Sequence, residues 1–71
     1  MDLRKKILGK NIKAERVRKN LTQFELSEKI NISESSLSLI ERGIQTPSSF
    51  IVYDIAKVLG IDISELFKNI S

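Results

Sequence analysis

Three times in 71 residues the chain repeats one local arrangement. An apolar residue precedes a short oxygen-bearing side chain, and a second apolar residue follows four positions later: Leu21-Thr22-Leu26, Ile32-Ser33-Leu37 and Ile61-Asp62-Leu66. The oxygen can accept from the free amides that open a helix, and the two apolar side chains can close over the entry. Glu25, three residues after Thr22, completes a capping box, and Glu65 makes a box-like version with Asp62. Asn20, Asn31, Gly43 and Gly60 stand just before these starts or at the ends of helical runs. Each is a residue type that takes the left-handed conformation which stops a helix. A chain punctuated this often folds as short helices. The apolar period is helical throughout, with no repeat, linker or low-complexity segment. The expectation is an all-α single domain over 1–71, with helices at about 3–19, 23–30, 34–42, 47–59 and 63–68. Thr46 is taken as the cap of the fourth helix and Pro47 as its first residue.

Composition narrows the chemistry. There is no Cys and no His, so disulfides, thiolate metal sites and the usual neutral-pH general base are absent. No catalytic residue, metal or cofactor is expected. An enzyme would need a carboxylate pair or a Ser–Lys dyad in a cleft, and so small a helical chain offers few. No apolar run approaches the ~20 residues of a membrane span and no signal segment opens the chain, so a cytoplasmic protein is expected. Charge is uneven. Residues 1–20 hold eight basic and two acidic side chains, whereas 21–71 hold four and seven. A basic segment of this kind is either a solvated face or a footprint for nucleic acid.

The stretch SESSLSLIERG, residues 33–43, sets a puzzle. As a helix it places Leu37, Ile40 and Glu41 on one side, and Leu39 on the other with Glu34, Ser35, Ser38 and Arg42. In the first helix Leu8, Ile12 and Arg16 share a stripe in the same way. A lone buried charge costs several kcal/mol, so the two charges need each other. The pattern predicts a structural Arg16–Glu41 ion pair tying helix 1 to helix 3; the alternative is that both side chains reach solvent.

Helices 2 and 3 are short and separated by about three residues, which is helix-turn-helix spacing. LTQFELSEKINISESSLSLIERG, followed by TP, an apolar helix and LGIDISELF, resembles the phage-repressor/Cro (XRE) helix-turn-helix family from about Leu8 to Phe67. The departures are Ser27 for a common alanine, Asn31 for a frequent glycine, Ser49-Phe50 for a usual Leu-Glu pair, and a third helix of low positive charge. The resemblance implies a compact five-helix fold of the lambda-repressor type and the same Arg16–Glu41 pairing.

With helix 3 so oriented, its outer face can enter a major groove. Leu39 can meet a thymine methyl, Glu34 can accept from cytosine, and Ser35 and Ser38 can bond base edges. Ser36 falls nearer the phosphate edge. Gln23 opens helix 2, where its amide and the free helix-start N–H groups suit a phosphate, a role the resemblance also implies. Arg42 and the backbone of Gly43 to Gln45 are expected on phosphates beyond helix 3; Lys10, Lys13 and Arg18 sit near the backbone or on the far solvated face.

Helices 4 and 5 carry more apolar residues than one face needs. Phe50, Tyr53, Val58, Ile61, Ile63 and Phe67 are expected to form a homodimer interface, unless they fold back on the chain or dock a partner domain. The leading reading is a regulator of transcription that binds double-stranded DNA. It would be a dimeric repressor or controller reading a palindromic operator through helix 3, standing alone or as part of a longer regulator. The alternative is a protein-interaction module, such as an antitoxin or partner-docking domain, with the same fold and little DNA binding.

Overall fold

The computed structural model describes residues 2–70. Four α-helices follow one another: α1 Leu3–Arg18, α2 Gln23–Lys29, α3 Glu34–Glu41 and α4 Ser49–Leu59. A 3₁₀ turn, Ile63–Phe67, closes the fold, and no strand occurs among the described residues. Each of the five elements sends one completely buried side chain to the centre: Ile12, Leu26, Leu37, Ile55 and Leu66. Around them pack Leu8, Ile30, Ile40, Val52, Ala56 and Leu59. The helix α1 lies against both α3 and the 3₁₀ turn, while α2 packs on α3.

The caps explain why these segments begin where they do. Thr22 Oγ1 accepts from the Glu25 N–H at 3.0 Å, and Glu25 accepts in return from the Thr22 N–H at 2.8 Å. That second bond, to the backbone, holds the Glu25 carboxyl below its ordinary pKa. Ser33 Oγ accepts from the Ser36 N–H and caps α3. The apolar partners beside the caps, Leu21, Ile32 and Ile61, are half-buried against the core. All four expected stops are left-handed, with φ of 59° at Asn20, 59° at Asn31, 77° at Gly43 and 67° at Gly60. Asn69 adds a fifth, at 64°.

Two expectations need correction. The fourth helix begins at Ser49, with Ser48 as its cap, and not at Pro47 after Thr46. Ser48 is extended and its Oγ accepts from the Ile51 N–H at 3.2 Å. Three oxygen-bearing side chains compete here, and the one that reaches a third-position amide sets the start. Thr46 instead lines a groove with Arg4, Lys5 and Leu8 at the start of α1. The fifth element is a 3₁₀ turn rather than an α-helix. Asp62 accepts from the Ser64 N–H, two residues on, and Glu65 bonds Lys68 instead of closing a box. Its late carbonyls have a tertiary partner: Asn11 Nδ2 donates to Leu66 O at 2.9 Å and to Lys68 O at 2.8 Å. Those contacts, from α1, favour the tighter turn over further α-helix.

Candidate nucleic-acid interface

The helix α3 has two opposed sides. Leu37, Ile40 and Glu41 are buried, as the puzzle over its carboxylate required. Arg16 and Glu41 form a bidentate pair, with Nε to Oε2 at 2.7 Å and Nη2 to Oε1 at 3.0 Å. Their side chains are 9% and 1% exposed, so both charges have left water. Arg16 Nη1 also donates to Leu21 O at 2.8 Å. The fork and carboxylate geometry, together with that third bond, is what makes such burial tolerable.

A third group joins them. Gln23 Nε2 donates to Glu41 Oε1 at 3.0 Å. The clamp on α3 therefore reaches from α1 through Glu41 to the first residue of α2. The sequence contained a signal for this: a buried carboxylate has more lone pairs than one arginine fork fills, and Gln23 is the neutral donor at the nearest helix start. No buried side-chain polar atom among the described residues lacks a partner.

The opposite side of α3 is open. Glu34, Ser35, Ser38, Leu39 and Arg42 line one shallow concavity with Gln23. Glu34, Ser35 and Arg42 are exposed, and Ser38, Leu39 and Gln23 half-buried. Leu39 is thus neither a core residue nor fully outside; its side chain belongs to the concave surface. Ser36 lies apart, its hydroxyl accepting from Ser33 Oγ at 2.9 Å within the α3 cap.

The backbone after α3 differs from expectation. The Gly43 N–H donates to Ile40 O, and those of Ile44 and Gln45 both donate to Leu39 O. Gly43 is also buried. These three amides are spent on ending α3, as left-handed helix ends require, so Gly43 and Gln45 offer no backbone donor to a phosphate. The exposed side chains of Arg42 and Gln45 remain at this edge.

Two glycines fix how α3 seats on α1. A Cβ at Gly9 would overlap Ile40 O and lie 2.6 Å from Glu41 O, so the helices meet backbone to backbone. A Cβ at Gly43 would lie 2.7 Å from both Cα and Cγ of Lys6. Gly9 went unread in the sequence. A glycine in mid-helix on the apolar stripe was the available sign.

The apolar surplus is real but divided. Phe50 is 80% exposed and does not fold back; Tyr53, Val58, Ile63 and Phe67 are 56%, 36%, 40% and 44% exposed. Tyr53, Ile61 and Ile63 share one shallow depression. Phe67 faces a different groove, with Leu8 and Ile70. The basic residues divide too. Arg18 bonds the buried carboxylate of Glu15 at 3.2 Å. Lys10 and Lys13 are exposed. Among the described residues, no helix is long and apolar enough to cross a membrane, and no cluster of acidic, His or Cys side chains could hold a metal ion.

Several known proteins are similar to this chain. The uncharacterized HTH-type transcriptional regulator y4dJ of Sinorhizobium fredii is 38% identical over 66 residues, covering 93% of this chain and 84% of that protein. The immunity repressor protein of Bacillus phage phi105 is 42% identical over 59 residues, covering 83% of this chain but only 41% of the repressor. The master regulator for biofilm formation SinR, solved in complex with DNA, superposes with a TM-score of 0.77 at 37% identity, covering 83% of this chain and 95% of that one. The model of the helix-turn-helix family matches residues 12–66. This chain belongs to the helix-turn-helix family of phage-repressor (XRE) type, a class of DNA-binding transcriptional regulators rather than enzymes.

Proposed function

We propose that this regulator acts as a dimeric repressor or controller and reads a palindromic operator through the outer face of α3. The observation that carries the reading is the convergence of Gln23, Glu34, Ser35, Ser38, Leu39 and Arg42 on one open surface. Behind that surface the helix is locked by the Arg16–Glu41 pair. An α-helix with its side chains is about 10–12 Å across, which fits the width of a major groove, and the eight residues of α3 present about two turns to it. In this reading Leu39 meets a thymine methyl while Ser35, Ser38 and Glu34 address base edges. Arg42 and Gln23 hold phosphates, Gln23 with the amide hydrogen that Glu41 leaves over. Ser36 stands at the phosphate edge. The second copy docks through the exposed apolar residues of α4 and the 3₁₀ turn, with Tyr53, Ile61 and Ile63 at the centre.

Selecting duplexes from a random library tests this. The expected product is an inverted repeat whose half-sites lie about one turn, ~34 Å, apart. With that site in hand, Leu39→Ala should relax preference at one thymine, by up to about 1–3 kcal/mol. Arg42→Ala should weaken every duplex by the same factor. No enrichment of any duplex would favour the protein-docking alternative, for which the acidic Glu34 on the open face of α3 is the specific support. An unrepeated site would remove the dimer.

A further inference from the structure

At the edge of the surface just beyond α3, the backbone has nothing left to offer an anion. The amides of Gly43, Ile44 and Gln45 are all bonded inside the chain. What covers Gly43 is the stem of Lys6, whose Cα and Cγ occupy the space a side chain at 43 would need. Lys6 is exposed, and none of the ion pairs among the described residues involves it. Its neighbour Arg4 is held by Asp2 at 3.3 Å, and Arg18 by Glu15, so these two cations are already matched. Lys10 and Lys13 follow Lys6 at spacings of four and three residues, which puts all three on one stripe of α1.

We infer that Lys6 is a DNA phosphate contact of this protein, supplying from α1 the donor that the buried Gly43 backbone cannot. The inference rests on the operator-reading role proposed above. A flexible ammonium on a four-carbon stem suits a phosphate oxygen as a point charge and carries no base preference. Lys10 and Lys13 extend the same positive stripe away from Gly43. Arg42 and Lys6 would then flank the end of α3 from two different helices, which ties the seating of α3 on α1 to the position of the duplex. The competing role for Lys6 is purely structural: a cation near the negative end of the α3 dipole.

Salt dependence separates the two. Affinity of Lys6→Gln for the selected duplex and for a random duplex is measured across salt, beside wild type and a Lys29→Gln control carrying the same change in net charge. Each phosphate contact contributes about 0.9 to the slope of log affinity against log salt. Lys6→Gln should therefore flatten the slope by about 0.9 per bound protomer. Its loss between 50 and 200 mM salt should be smaller than that of wild type by about 3.5-fold. The effect should be equal on both duplexes, with an unchanged melting temperature, and Lys29→Gln should keep the wild-type slope. An unaltered Lys6→Gln slope overturns the inference whether or not the protein melts earlier, and so does equal flattening in both variants. Wild-type protein that binds no duplex would instead remove the operator-reading role, and the inference with it.

Discussion

Glu41→Ala should unfold much of the protein at room temperature. Removing one partner of a buried pair leaves the other charge uncompensated, at a cost of about 3–5 kcal/mol. Here that charge is Arg16, 9% exposed and aimed at the vacated site. A domain of this length gains only about 3–5 kcal/mol from its core. The melting temperature of such domains moves by about 4–8 °C per kcal/mol, so the shift should exceed 10 °C in a thermal melt followed by circular dichroism. Gln23 also loses its acceptor in this variant. Glu41→Gln keeps the shape and part of the hydrogen bonding, and should fall between wild type and alanine. Replacing both members, Arg16→Met with Glu41→Leu, should recover most of the loss, because apolar substitutes of similar volume are tolerated where a stranded charge is not. A Glu41→Ala protein that melts with wild type would show that the pair contributes nothing to α3.

Gly9→Ala sets two effects against each other. Alanine is better than glycine in a helix interior by about 1 kcal/mol. Against this, the added methyl would strike the carbonyl oxygens of Ile40 and Glu41. Those atoms are backbone at the end of α3 and cannot rotate aside as a side chain could. Overpacking of this kind costs about 1–3 kcal/mol and sometimes more, so the net change should be a loss. Denaturant titration should give a lower midpoint at an unchanged slope. Duplex affinity should fall as well, since relief of the clash moves α3 away from α1. A more stable Gly9→Ala protein would mean that the helices separate freely and that α3 is not seated where the geometry has it.

Much of this architecture was readable before any coordinates, for an identifiable reason. Caps, staples and stops are local, so Thr22, Ser33, Asn20, Asn31, Gly43 and Gly60 declare themselves within a few residues. The helical period likewise gave the buried stripe Leu8, Ile12 and Arg16 of α1. The features that escaped depend on what another segment brings. Gly9 is ordinary until the α3 backbone arrives against it. The choice of Ser48 over Thr46 turns on which oxygen reaches the Ile51 amide. The 3₁₀ turn follows from Asn11 claiming two carbonyls from more than fifty positions away. The site shows the same division. The two faces of α3 followed from spacing, whereas the bond from Gln23 to Glu41 and the spent amides after Leu39 did not.

If one side of α3 is clamped to α1 while its other side meets DNA, a bound duplex must mark α3 and spare α4. The most direct measurement is a nuclear magnetic resonance titration of isotope-labelled protein with the selected duplex. The largest backbone shifts should fall at Gln23, across Glu34 to Gln45, and at Lys6, with Val58 to Phe67 little changed at constant oligomeric state. Shifts concentrated on α4 and the 3₁₀ turn, with residues 34–42 silent, would contradict that arrangement.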